Sequence, residues 1–421
     1  MEEKEYKDPI TIAEETDVEF EEESAEIQED TLPFEPEKIS IEQKTLSLDA
    51  ILRRIKQETI VLTPAFQRNE VWDDTKKSQL IESLLMKIPI PMFYLSSDDM
   101  GILSVVDGLQ RMSTIRDFVL GQDYLDSADG KGNFDESKRG KGLKLKHLEF
   151  CTDLEGKQFC DLSPLHQNRI FESNLLFTII NPGTPEEVQR NIFKRINTGG
   201  VRLTDQEMRN AMYIGQATNL LLRLVDSDEF QAATGYSLRN AKRAEDMEVA
   251  LRLVAFIVRD FTGYSRTVST DQWLSDTMII LNSLPSLTCK EYQKFCSSKR
   301  ASDPKIVNKM TIEEIEDFFS TAMIRSREMF GNHAFRKSWG EMMRKPINRC
   351  LFEMWGYILG HLTDAQYCHL MSNRTQFLHK YYLLLEDVDF LRSITTDSMK
   401  HIALKYRFNT LIDLINPYIT C

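Results

Sequence analysis

Val105-Val106-Asp107-Gly108-Leu109-Gln110-Arg111 is the stretch on which the fold of this chain turns. Ile102-Leu103-Ser104-Val105-Val106 is β-branched and apolar and predicts a strand. From Leu109 the apolar residues fall at helical spacing through Ile115 and Phe118 to Leu120. Gly108 stands between the two, where glycine permits a tight turn and lets a ligand approach the backbone. The start of a helix offers N–H groups and a partial positive charge, which suit a phosphate. Arg111 would add a fork of donors for the same anion. Asp107 at the strand end could hold a metal ion or a ribose hydroxyl, and Gln110 could orient a water or read a base. A plain strand–turn–helix with Asp107 as N-cap accounts for the same residues. On this stretch alone the two readings stand level.

Working outward, Ser47 is placed to cap a helix over 48–56, with Leu48, Ile51, Leu52 and Ile55 on one face. Thr59 to Leu62 predicts a strand ending before Pro64. A helix is expected over 74–87 with Leu80, Ile81, Leu84 and Leu85 inward, stopped by Pro89 and Pro91, and a strand over 92–95. Residues 121–142 are polar and glycine-rich, with Lys131, Lys138, Arg139 and Lys141, and read as a mobile loop. A strand follows at 175–180. Thr184, Pro185 and Glu187 form a capping box for a helix running to Asn197-Thr198-Gly199-Gly200. Beyond Thr204 the pattern is almost wholly helical.

A second Gln-Arg pair, Gln67-Arg68, follows the strand at 59–62 and precedes Trp72. Pro64, Gln67, Arg68, Trp72, Pro89, Pro91 and Asp107 to Arg111 together resemble the N-terminal domain of GmrSD-type restriction endonucleases, whose usual pattern is P-x-x-Q-R, W, P-x-P, D-G-Q-Q-R. Leu109 stands where that family has glutamine. Phe193 to Thr204 resembles the family's F-x-R-I-N-x-G-x-x-L-T segment, followed by Gln206-Glu207-Met208-Arg209-Asn210-Ala211. The resemblance covers roughly residues 45–215, and Phe330–Arg336 and Pro346–Arg349 are similar to the C-terminal half of stand-alone members.

The resemblance implies an α+β domain of ParB/sulfiredoxin-like type followed by an all-α domain. It also implies an NTP-binding and NTP-hydrolysing component of a prokaryotic defence system, working with Mg²⁺ and a nucleoside triphosphate of unspecified base. Asp107, Gln110 and Arg111 are the catalytic candidates, with Asp107 also the metal ligand. Gln67, Arg68, Gly108, Arg195 and Asn197 are the nucleotide-binding candidates. Two rivals remain. One is a DNA-nicking nuclease with residues 131–146 as its groove. The other is a non-catalytic subunit that assembles with a partner nuclease or defence protein. DNA and a second copy of the chain are admitted as further partners.

Composition narrows the classes. The chain has 421 residues and a net charge of −13. Residues 1–40 hold sixteen acidic and three basic residues; taken from totals of 65 and 52, these leave 49 of each sign. The body is neutral, so any nucleic-acid footprint must be local. Residues 1–44 are expected to be an acidic, disordered tail, 45–210 the α+β domain and 211–421 the helical domain. No apolar run approaches a membrane span, and the acidic start lacks the apolar core of a secretory leader, so a cytoplasmic location is expected. The seven cysteines include no C-x-x-C pair, against a zinc site or a disulfide framework. Neither a P-loop motif nor a compact His-Asn-His arrangement is present.

Overall fold

A computed structural model describes residues 39–62, 72–98, 100–129, 133–184, 188, 189, 192, 204–213, 215–239, 241, 244–266, 268–287, 292, 293, 296, 308, 310–396 and 400–419. The chain divides into two units between Ile214 and Gly215, a few residues beyond the boundary expected at 210. The first is α+β and the second helical, as the sequence predicts. No helix among the described residues is long and apolar enough to cross a membrane.

The first unit is built on a five-stranded sheet in the order β1-β5-β3-β4-β2. Its strands are β1 (Ile41–Ser47), β2 (Ile60–Val61), β3 (Phe93–Ser97), β4 (Leu103–Asp107) and β5 (Asn174–Ile180). β1 runs antiparallel to β5, β5 parallel to β3, β3 antiparallel to β4 and β4 parallel to β2. Residues 41–44, assigned to the tail by their sequence, are thus strand. They pair with Phe177 to Ile180, a partner too remote in sequence for any local pattern to announce. Ser40 is also fixed, because the Thr184 hydroxyl accepts from its N–H and donates to its carbonyl, both at 3.2 Å. The rest of the tail, residues 1–38, lies outside the described residues, as does most of the helix expected after Thr184.

Helix α1 (Leu48–Lys56) forms as read, with the Ser47 hydroxyl accepting from Ala50 N–H and Leu48, Ile51 and Leu52 buried. Helix α2 (Asp74–Leu85) is capped by Asp73, and Leu80, Ile81, Leu84 and Leu85 face inward as expected. With α3 (Leu109–Val119) and α5 (Pro164–Phe171), these helices cover one face of the sheet around Phe93, Leu95, Val105 and Phe177. Glu82 of α2 is buried, and its carboxylate accepts the N–H groups of Glu149, Phe150 and Cys151. The other face holds Val106 and Ile180, packed against Met208 of α6 (Asp205–Met212).

The stretch after α3, expected to be a mobile loop, is packed in its described part. It carries a short helix, α4 (Gln122–Leu125). Tyr124 is fully buried and stacks on Phe134 at 5.0 Å. Its hydroxyl accepts from Lys56 Nζ at 2.7 Å and donates to Glu136 at 2.9 Å. Two aromatic anchors in a polar stretch are too sparse to register as periodicity, yet they suffice to pin it. Replacing Tyr124 by phenylalanine is expected to cost about 1–3 kcal/mol, because the hydroxyl serves two charged partners. A urea midpoint identical to that of the native chain would show that it does not.

The second unit begins with α7 (Gln216–Asp226) and α8 (Asp228–Thr234). Helices α9 (Glu245–Val258), α10 (Thr270–Ser283), α11 (Ile312–Phe330) and α12 (Arg349–His361) form its centre. Its core is aromatic, with Phe230, Phe319, Phe335, Phe352 and Trp355 buried. Buried charges thread through it. Glu353 of α12 receives Arg407 Nη2 on one oxygen, and its other oxygen lies 3.6 Å from Arg252 Nη1. Arg252 also lies 3.5 Å from Glu248. Arg259 lies over the Trp273 ring at 3.6 Å; burial pulls its pKa down to about 9, against the opposing pull of Asp276.

Candidate functional site

The site is the junction of β4 and α3. Gly108 has φ 90° and ψ 14°, the left-handed region that favours glycine. A Cβ there would lie 2.5 Å from Cδ1 of Phe93. Gly108 is the N-cap of α3, and no side chain caps the turn it opens. The first helical bond runs from Met112 N–H to the Gly108 carbonyl at 2.8 Å. Asp107 is therefore not the N-cap, although the stretch does form the strand, turn and helix that the plain reading expects. Asp107 is the last residue of β4, set opposite Tyr94 across an irregularity in the pairing of β3 with β4. Such irregularities re-aim the end of a strand.

The Asp107 side chain is 34% exposed, and its Oδ2 accepts from Arg111 Nη2 at 3.0 Å. Its other oxygen takes no hydrogen bond among the described residues. Arg111, one helical turn on, is far more enclosed. Its guanidinium also donates to the carbonyls of Pro91 and Met92 and lies 4.6 Å from the centre of the Phe93 ring. Burial holds its pKa below the usual arginine value, and the neighbouring Asp107 carboxylate opposes this. Arg111 thus ties the Pro91 turn, the start of β3 and Asp107 into one piece. This arrangement gives the Pro89-Ile90-Pro91 segment a role in the site through its carbonyls.

Leu109 is buried in the core that contains Phe93 and Met112. The position at which this chain departs from the D-G-Q-Q-R pattern faces away from the turn. Gln110 is half-buried on the first turn of α3. The structure therefore brings Asp107, Gly108, Gln110 and Arg111 together. Gln67, Arg68, Arg195 and Asn197 lie outside the described residues. Of the cations proposed as a groove at 131–146, Arg139 lies 3.7 Å from Glu136 and Lys146 2.6 Å from Asp74.

Gln206, Arg209 and Asn210 follow the last family-like segment and carry no expected role. On α6 they are buried, at 0%, 2% and 0% exposure. Gln206 donates to Asn210 and accepts from Arg209 Nε, both at 2.9 Å. The helix is fixed by the capping box of Thr204 and Glu207 and packs on β4 next to the candidate turn. Their spacing, three and four residues apart on one face, was the signal that could have found them.

A divalent ion would find one carboxylate here. No group of three or more His, Cys, Asp or Glu that could hold a metal occurs among the described residues. A single half-exposed carboxylate with one oxygen to spare fits Mg²⁺ of the kind held by one or two carboxylates and the phosphates of a nucleotide. It does not fit an all-protein metal centre.

No curated protein and no solved structure matches the chain. Residues 48–214 match the family model described as the GmrSD restriction endonuclease N-terminal domain. The matched span takes in α1, the turn at Asp107 to Arg111 and the buried polar face of α6, and this part of the chain belongs to the GmrSD N-terminal domain family.

Proposed function

We propose that residues 48–214 bind a nucleoside triphosphate with Mg²⁺ at the turn from Asp107 to Arg111 and hydrolyse it, as part of a prokaryotic system that restricts foreign DNA. The observation that carries this reading is the left-handed Gly108 opening a helix whose first turn no side chain caps, directly beside a half-exposed carboxylate. Such a turn receives a phosphate on its N–H groups. Asp107 is the residue that would hold Mg²⁺, which supplies charge neutralisation on the phosphates when bound. Arg111 keeps Asp107 and the Pro91 carbonyl in place, and Gln110 is positioned to orient a water. Gln67, Arg68, Arg195 and Asn197 are assigned to the nucleotide by the resemblance.

Calorimetry with each of the four ribonucleoside triphosphates and Mg²⁺ tests the binding. Heat is expected for at least one; none at millimolar concentration overturns the proposal. Arg111→Ala should weaken the binding by about tenfold or more, because it removes the charge-assisted bond, itself about 1.5–3 kcal/mol, that holds Asp107 and the Pro91 turn in place. Lys141→Ala, an exposed loop cation, should leave it nearly unchanged. Equal effects would show that the nucleotide does not depend on the turn that Arg111 holds. Release of inorganic phosphate with plasmid left intact supports hydrolysis. Nicking of supercoiled plasmid that disappears in Asp107→Ala would put the nuclease reading first.

A further inference from the structure

The helical unit carries a basic hairpin that the candidate turn does not use. Arg336 and Ile347 are bridged antiparallel, and Asn348 N–H donates to the Phe335 carbonyl at 2.9 Å. Buried Arg336 braces the hairpin from within by donating to the carbonyls of Lys345 and Thr234. The Ser338 hydroxyl bonds Lys345 N–H at 3.1 Å and His333 Nδ1 at 2.9 Å. Within the hairpin, Trp339 stacks on Tyr382 of helix α14 (Arg374–Leu384), which follows α13 (Asp364–Ser372), with centroids 4.9 Å apart and planes 9° apart.

Charge on this surface runs against that of the chain. Besides the buried Arg336, residues 336–345 hold Lys337, Arg344 and Lys345 against Glu341 alone, and α14 adds Arg374 at its start. Arg344 and Lys345 are exposed. Arg344 donates to the Gly235 carbonyl at 3.3 Å and Arg374 to the Met329 carbonyl at 2.9 Å. Neither of them, nor Lys345, makes an ion pair among the described residues. The pKa of His333 is pulled below its ordinary value by burial and then by Arg336 and Arg344, consistent with a positive local field.

We propose that this surface binds single-stranded nucleic acid. Trp339 and Tyr382 are each only half-buried, so the stacked pair leaves aromatic surface on which a base can lie, and the surrounding cations meet the phosphates. A duplex keeps its base faces covered, so the aromatic pair selects unpaired strands. The proposal stands on residues outside the family match and is independent of nucleotide binding at Asp107.

Fluorescence anisotropy of the full chain with a labelled oligothymidylate of about 20 nucleotides, and with a duplex of equal length, tests it between about 50 and about 200 mM salt. Single strands are expected to bind more tightly than duplex. Arg344→Glu with Lys345→Glu should weaken binding at least about tenfold and flatten the slope of log affinity against log salt by about 1.4, the yield of two phosphate contacts on a single strand. Trp339→Ala should weaken binding about tenfold, with Trp339→Phe restoring most of it. Nucleotide heat at Asp107 should be unchanged in all of these variants. Absence of oligonucleotide binding overturns the proposal. So does equal binding of duplex that ignores Trp339→Ala, or binding unchanged in the double charge variant.

Discussion

Replacing Glu353 by alanine is expected to destabilise the helical unit by about 3–5 kcal/mol, the usual loss when one member of a buried ion pair is removed. Glu353 is 3% exposed and stands between Arg252 and Arg407, themselves 4% and 1% exposed. Both arginines approach its carboxylate. Arginine does not shed its proton in proteins, so neither partner can escape by neutralising. Arg252 retains Glu248 at 3.5 Å, and Arg407 retains the Ser393 carbonyl at 3.1 Å. Neither contact replaces a full carboxylate between two cations. Calorimetry should show the transition of this unit lowered by about 10 °C. Glutamine at 353 preserves the volume and should recover only a minor part. A loss under about 1 kcal/mol would show that the arginines find other acceptors.

Gly108→Ala is the second large effect, about 2–5 kcal/mol, and it acts in the first unit. The left-handed backbone costs about 1–2 kcal/mol for a residue with a side chain, and overpacking adds about 1–3 kcal/mol. The new methyl would lie 2.5 Å from Phe93, a residue that also stacks under Arg111. Relief of the clash must move Phe93 or the turn, so nucleotide binding should fall along with stability. Gly101→Ala separates the two terms: its φ is 80°, but nothing lies within 4 Å of the added carbon. If both variants lose the same stability in urea, the contact with Phe93 is not tight.

What the sequence made legible was local. Ser47 and the apolar face behind it placed α1 to the residue, and Gly108 placed the turn between β4 and α3. Local signals also found the four residues that the turn brings together. What stayed hidden depends on remote partners. β1 is mostly polar, and its strand character comes from pairing with β5 across the rest of the unit. The inward turn of Arg111 depends on where the Pro91 and Met92 carbonyls arrive, which no spacing along α3 encodes. Leu109 departs from the family pattern on the side of the first helical turn that faces the core, a side that sequence alone does not identify.

The pairing of β1 with β5 also bears on how this domain can be handled. The family match begins at Leu48, one residue past the end of β1. A fragment cut at that limit would strip seven residues from the ladder and leave β5 as the sheet's outermost strand. Its sequence, Asn-Leu-Leu-Phe-Thr-Ile-Ile, carries no charge and no proline. An uncovered strand of that composition is a template for edge-to-edge association and fibrous aggregation. Residues 41–47 thus act as a built-in guard against self-polymerisation, and a soluble fragment of this unit has to begin upstream of them.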